Sequence, residues 1–324
     1  MTQISIIIAA RNESRNLRGL FAALTSLNYP KDDYEIIFVN DQSTDNTKSL
    51  IDEFCAGREN SCVFDSDGKR YAGKRGALDI GISHSKYNCI MITDADCEPE
   101  PNWLAAFAKK FEEGNDFAFG LAPFKQENNF VNKISCFENF RSQLLMTALA
   151  KMGMPYSATA RSFGFSKSSF MKLDGYKNTT ETLSGDDDLL LREAVKHNMK
   201  VGVVEESDAL VFSSTKSKWK DYLKQKARHT STSRYYLPKH KIVLGLWHLV
   251  NISFLLSPVL MIFSPYFILP LVFKLLTDVI ITQKYRTKFL YKFSVFETLY
   301  LQIVYELLLI VNYFASSSFK KRWD

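Results

Sequence analysis

Asp94-Ala95-Asp96 places two carboxylates one residue apart at the end of an apolar run, Cys89-Ile90-Met91-Ile92-Thr93. A short, continuously apolar run bounded by polar residues reads as a parallel strand buried on both faces, and ligands in open α/β sheets gather just beyond such strand ends. Two carboxylates at that spot are costly unless a cation or a hydrogen-bond network holds them. The chemistry on offer is coordination of a hard divalent cation, although a D-x-D taken alone also suits a polar turn. A second acidic group, Asp186-Asp187-Asp188, follows Gly185 and opens a helix. A helix N-terminus favours some of this charge. The surplus implies that one carboxylate is raised in pKa, paired with a cation such as Arg192, or placed for proton transfer.

Two further loops carry polar groups with no evident structural task. Gly73-Lys74-Arg75-Gly76-Ala77-Leu78 is a glycine-flanked basic turn opening a helix, where free N–H groups and the helix dipole favour an anion. It is not a G-x-x-x-x-G-K-[ST] loop. In Asn40-Asp41-Gln42-Ser43-Thr44-Asp45, Ser43 or Asp45 can cap the next helix, which leaves Asp41 unexplained.

The elements that must position these loops alternate strand and helix from Ile4 to about Gly120, as a parallel α/β sheet requires. The first apolar run ends in Arg11-Asn12-Glu13 and lacks a basic leader, so it reads as a first strand and not a secretion signal. The amino-terminal part is accordingly expected in the cytosol. Helices are expected over residues 16–27, 102–111 and 130–151, and strands over 35–39, 116–124 and 162–166. Residues 219–234 form a basic amphipathic helix of the kind that lies at a membrane interface.

Three apolar segments follow, over residues 242–263, 265–282 and 293–315. At about 1.5 Å per residue each approaches the ~30 Å of a bilayer core. Lys274 and Asp278 interrupt the second but sit i, i+4 and can pair. Glu297, Gln302, Glu306 and Asn312 weaken the third. Lys239 and Lys241, the loop at residues 284–292 and the Lys320-Lys321-Arg322 tail all favour one side of the membrane, whereas three crossings would separate them. The third segment is therefore expected to lie in the interface. The expected division is a cytosolic catalytic domain over residues 1–235 and a multi-pass membrane region over 240–324.

Lys and Arg number 41 against 35 Asp and Glu, a net charge of +6, with the excess towards the C-terminus beside apolar segments. That placement favours a membrane surface and argues against nucleic acid. Cys55, Cys62, Cys89, Cys97 and Cys136 contain no C-x-x-C pair, which argues against a disulfide framework or zinc site. The histidines show no H-E-x-x-H spacing.

In their order, these features resemble the family 2 glycosyltransferases, inverting enzymes of the GT-A fold, over roughly Ile4 to Arg234. Ser5 to Glu13 resembles the family's opening strand and loop, with Ala9-Ala10-Arg11 in place of Pro-Thr-Tyr. Val39 to Asp45 is similar to V-D-D-G-S-T-D, with Gln42 at the glycine position. Gly73 to Leu78 fits G-K-x-x-A-L, Asp94-Ala95-Asp96 the metal-binding D-x-D, and Asp186-Asp187-Asp188 the E-D pair. Gln225-Lys226-Ala227-Arg228-His229 resembles Q-x-x-R-W, with His229 replacing tryptophan.

The resemblance implies a mainly parallel mixed sheet flanked by helices and followed by transmembrane helices. It implies a donor linked to UDP or GDP, bound by Ala10, Arg11, Glu13, Asp41, Lys74, Asp94, Gln225, Arg228 and His229. Mg²⁺ or Mn²⁺ would be held by Asp96 and Asp94, and Asp187 is the expected proton acceptor, with Asp186 a one-residue alternative. A lipid-linked or cell-envelope glycan is the expected acceptor, with membrane lipids as further partners. Departures at Gln42, Asp186 and His229 leave open a membrane-anchored nucleotide-sugar-binding protein without turnover.

Overall fold

The computed structural model describes residues 1–317, which fall into two compact units. The first comprises Met1–Pro123 and Leu145–Ser214; the second comprises Phe124–Leu144 and residues 215–317. The Lys320-Lys321-Arg322 tail lies outside the described residues.

The first unit is built on β1 (Ile4–Ala10), α1 (Leu17–Thr25), β2 (Tyr34–Asn40), α2 (Thr47–Ala56), β3 (Ser61–Asp65), α3 (Lys74–His84) and β4 (Cys89–Ile92). β5 (Cys97–Pro99), α4 (Trp103–Glu112) and β6 (Phe117–Gly120) follow. The long helix α5 (Phe130–Lys151) belongs mainly to the second unit. β7 (Phe163–Ser166), α6 (Lys167–Lys172), α7 (Asp186–Lys196), β8 (Val201–Val204) and β9 (Val211–Ser213) complete the first.

The main sheet has the order β3-β2-β1-β4-β7-β6-β8. β7 runs antiparallel to both β4 and β6, and the other pairings are parallel. β5 and β9 form a separate antiparallel pair. The strands at the centre are continuously apolar because helices cover both faces: Ile6, Ile8, Phe38 and Met91 pack with Leu17, Leu20, Trp103 and Phe107 in one core. The chain leaves β1 towards β2 on one side and returns to β4 on the other, and at such a reversal the loops beyond the strand ends diverge to leave a crevice. The loops beyond β1, β2 and β4 are those that begin at Arg11, Asp41 and Thr93.

The second unit joins part of α5 to α8 (Trp219–Thr232), α9 (Pro238–Leu256), α10 (Leu269–Tyr285) and α11 (Val295–Ser317). The contact boundary at Ser214 groups the basic helix α8 with the C-terminal helices. Pro238–Ile262, Pro265–Phe289 and Val295–Asn312 are each long and apolar enough to cross a membrane. The interrupting charges are buried. Lys274 Nζ donates to Asp278 Oδ2 at 2.8 Å, to Asn251 Oδ1 at 2.8 Å and to Glu306 Oε1 at 3.3 Å, and Arg141 Nη1 of α5 lies 3.0 Å from Asp278 Oδ1. The pair legible at i, i+4 is thus half of a neutral quartet. α11 carries its polar positions Thr298, Gln302, Glu306 and Asn312 inward and exposes Phe296, Leu307, Val311 and Phe314. It packs along α8, where the Tyr222 hydroxyl sits beside Tyr305 and Asn312.

Candidate active site

The loops after β1 and β2 are stitched together. Asn12 N–H donates to Ser43 Oγ at 3.1 Å, Thr44 N–H to Asn12 Oδ1 at 2.8 Å, and Glu13 N–H to Thr47 Oγ1 at 2.7 Å. Asp45 accepts the Thr47 amide at 3.0 Å and the Ser14 amide at 3.2 Å, so this residue is used structurally, as its helix-opening position suggests. Gln42 has φ 57°, which is why glycine suits this position and why a longer side chain is strained there. Ala10 is buried at the end of β1, while Arg11 is exposed and Glu13 half-buried beyond it.

Asp41 is buried and accepts the Ser66 hydroxyl at 2.7 Å and the Lys69 ammonium. Lys69 also donates to the Gly73 carbonyl at 3.3 Å. One lysine therefore links the Asp41 loop to the glycine-flanked turn. The sequence reading missed Lys69 and Ser66; the only signal was that a buried Asp41 needs partners. Within the turn Gly73 adopts φ 68°, and a Cβ on Gly76 would stand 2.0 Å from the Tyr71 carbonyl oxygen. The turn closes only with hydrogen at residue 76.

Lys74 opens α3 and bonds Asp94. Burial opposes its charge, but Asp94, Asp186 and Asp187 together raise it well above the ordinary lysine value. Lys74 is thus within electrostatic reach of two acidic groups that are far apart in sequence. Oxygens of Asp94 and Asp96 and the Cys97 sulfur lie within 4.8 Å of one another. Burial first, then Asp94, raises Asp96 above the usual carboxylate range, with Arg161 acting the other way. Burial, followed by Asp96 and Asp94, also pushes the Cys97 thiol up, and its sulfur is a soft donor that a hard cation passes over. The remaining donors are carboxylate oxygens, a set that fits Mg²⁺ or Mn²⁺.

The acid cluster occupies the first turn of α7 behind Gly185, whose φ is 72°. Asp187 Oδ2 accepts the Ala160 amide at 2.6 Å and Oδ1 accepts the Asp188 amide at 2.9 Å. Asp188 Oδ1 accepts the Ser157 hydroxyl at 2.7 Å and the Ala158 amide at 3.2 Å. These two side chains tie α7 to the segment at residues 157–160. Burial, then Asp188 and Asp186, raises Asp187 well above the ordinary carboxylate value. Asp186 differs: among the described residues it accepts no hydrogen bond, although its charge reaches Lys74 and Tyr176. The expected cation partner Arg192 is instead bound to Glu181 at 2.7 Å and to Glu193 at 2.7 Å.

Gln225, Arg228 and His229 lie on α8 in the second unit. Arg228 Nη2 is 3.2 Å from His229 Nε2. Lys226 pairs with Glu138 at 3.2 Å, which anchors the helix to α5.

A family model described as "Glycosyl transferase family 2" matches residues 5–173. An uncharacterized glycosyltransferase of Synechocystis, sll0501, is 36% identical over 135 residues, covering 41% of this chain and 42% of its own length. The Bacillus subtilis protein described as "Probable glycosyltransferase YdaM" is 26% identical over 247 residues, covering 74% of this chain and 57% of its own. The chain thus spans about half the length of these relatives. Among solved structures, the mannosyltransferase PcManGT of Pyrobaculum calidifontis, in complex with GDP-Man and Mn²⁺, superposes with a TM-score of 0.62. That match has 15% sequence identity and covers 96% of this chain and 87% of the other, a likeness of fold.

Proposed function

Because this chain belongs to glycosyltransferase family 2, we propose that it moves a sugar from a nucleoside-diphosphate donor to an acceptor hydroxyl with inversion. The observation that carries the reading is Lys74, bonded to Asp94 and also held in the field of Asp186 and Asp187. Leaving-group and acceptor chemistry need such groups on opposite sides of one sugar.

Asp41 reads the nucleoside base, with the loop at Ala10, Arg11 and Glu13 beside it, and Lys74 takes the diphosphate. A divalent cation bound by Asp94 and Asp96 would neutralise charge on the departing diphosphate. The Mn²⁺ and GDP-Man of PcManGT support both choices, with UDP the other candidate base. The acceptor oxygen attacks the anomeric carbon as its bond to the β-phosphate breaks, and the acceptor proton passes to a carboxylate.

We assign that carboxylate to Asp186 in preference to Asp187. Both oxygens of Asp187 are committed to backbone amides and its burial favours the protonated form, whereas Asp186 has an uncommitted carboxylate. The family pattern also assigns Gln225, Arg228 and His229 to the donor, a share that Arg228→Ala tests through donor affinity.

The acceptor in this reading is a lipid-linked or cell-envelope glycan. Support comes from the apolar helices, whose outward faces expose Ile242, Leu249, Ile262, Phe273 and Ile280. In the same reading residues 1–235 form a cytosolic catalytic domain, α9 and α10 insert as a hairpin, and α11 stays at the interface with its polar face on α8. Release of nucleoside diphosphate from UDP- and GDP-sugars by the purified chain tests the function. Donor binding without release would favour a binding protein.

A further inference from the structure

Arg75 opens α3 beside Lys74, and its side chain is 3% exposed. Nη1 donates to the Thr182 carbonyl at 3.1 Å. Nε and Nη2 are buried and, among the described residues, have no hydrogen-bond partner. A buried guanidinium whose hydrogen bond goes to a neutral carbonyl is costly, and the cost falls on one particular edge. Nε–H and Nη2–H point side by side, the fork that binds a carboxylate or phosphate through two parallel hydrogen bonds. Among the described residues no carboxylate fills it.

Arg75 and the acid cluster act on one common side chain. Arg75 and Asp186 both act on the buried Tyr176 hydroxyl, and Thr182, which touches the guanidinium, precedes Asp186 by one short turn. Residues 180–184 are held to Arg75 by that carbonyl and to α7 by Glu181, 2.7 Å from Arg192, and join α7 at Gly185, whose backbone is left-handed. With Arg75 3% exposed, a ligand reaches the fork only when this segment moves.

We propose that the Nε–Nη2 edge of Arg75 is a subsite for an oxyanion carried by a substrate, a carboxylate or a phosphate. The proposal rests on the transferase reading and narrows it to a charged substrate. Two sources share this chemistry: a uronate sugar on the donor, or a phosphate near the reacting end of the acceptor.

The test uses the full chain in detergent with Mg²⁺ and the variants Arg75→Lys and Arg75→Gln. The first keeps the charge and loses the fork; the second loses both. In the donor arm, affinities are measured for bare UDP and GDP, for their neutral-hexose derivatives and for UDP-glucuronate and GDP-mannuronate. In the acceptor arm, initial rates are compared for a polyprenyl phosphate and the matching polyprenol. The subsite predicts that wild type prefers the anionic member at least tenfold in one arm. Both variants bring that ratio near one while binding the bare diphosphate within about twofold of wild type, which also shows that they are folded. Collapse in the donor arm identifies a uronate, and collapse in the acceptor arm a phosphate. An anionic-to-neutral ratio unchanged by both variants in both arms overturns the subsite. If wild type bound the bare diphosphates but released none from any donor, the transferase reading would fall separately.

Discussion

Asp187 Oδ2 accepts the backbone amide of Ala160 at 2.6 Å, which ties the carboxylate at the centre of the acid cluster to a distant segment of the chain. Its neighbour Asp186 has no such tie. Proton acceptance by a positioned carboxylate is worth about 10²–10⁴ in rate. Asp186→Asn is therefore expected to cut turnover by about that factor and leave diphosphate affinity near wild type, as read by steady-state release of diphosphate alongside titration calorimetry. A turnover loss confined to Asp187→Asn would return the role to Asp187.

Asp187 also makes a stability prediction whose sign follows from its direction of shift. Its folded-state pKa is raised above the ordinary 3.8, so the folded chain holds a proton that the unfolded chain has released. Its contribution is full below about that ordinary value and is lost as pH rises through the higher folded value. Asp187→Asn removes this dependence. Urea midpoints measured across the pH range should show the variant gaining on wild type as pH rises, and parallel curves would contradict the burial argument.

Lys69 holds Asp41 and reaches the Gly73 carbonyl. Lys69→Met should weaken nucleoside-diphosphate binding about tenfold, a loss of about 1.4 kcal/mol, and change kcat little. Equal losses in affinity and kcat would show that the lysine acts on the reacting centre instead.

Gly76→Ala places a Cβ where the Tyr71 carbonyl oxygen lies 2.0 Å away. Overpacking against backbone costs about 1–3 kcal/mol. A lowered thermal midpoint together with lost diphosphate affinity is expected, and a midpoint equal to wild type would mean that the turn has room to open.

In the C-terminal helices, Asp278 sits between Lys274 and Arg141. Removing one partner of a buried pair costs about 3–5 kcal/mol, while replacing both by apolar groups is often near neutral. Asp278→Leu should lower the midpoint in detergent far more than Lys274→Met with Asp278→Leu. An equal drop for both would identify Arg141 as the decisive partner.

Much of this arrangement is legible in the residues because strand ends announce themselves. The Tyr34–Asn40 and Cys89–Ile92 runs are buried throughout and stop at polar loops, so Asp41, Asp94 and Asp96 stand out. Phe130–Lys151 is a helix over the range its pattern indicates. What pattern does not reveal is pairing. β7 runs antiparallel among parallel neighbours, and nothing in Phe163–Ser166 records its direction. β3 is half-buried at the sheet edge and lacks the apolar run that marks the central strands. Nor does pattern separate the members of the acid cluster: Asp187 and Asp188 differ through the amides of Ala160 and Ala158, nearly thirty residues away in the chain. The grouping of α8 with the apolar helices likewise depends on contacts to α11 that its own charged sequence does not suggest.

The central claim is transfer by a single displacement, with the leaving group held at Asp94 and Asp96 and the incoming oxygen served from the acid cluster. The most direct measurement is the configuration of the sugar first released when the purified chain turns over an α-linked nucleotide sugar, followed by proton NMR before the anomers equilibrate. The arrangement predicts the β-anomer. Release of the α-anomer would contradict it.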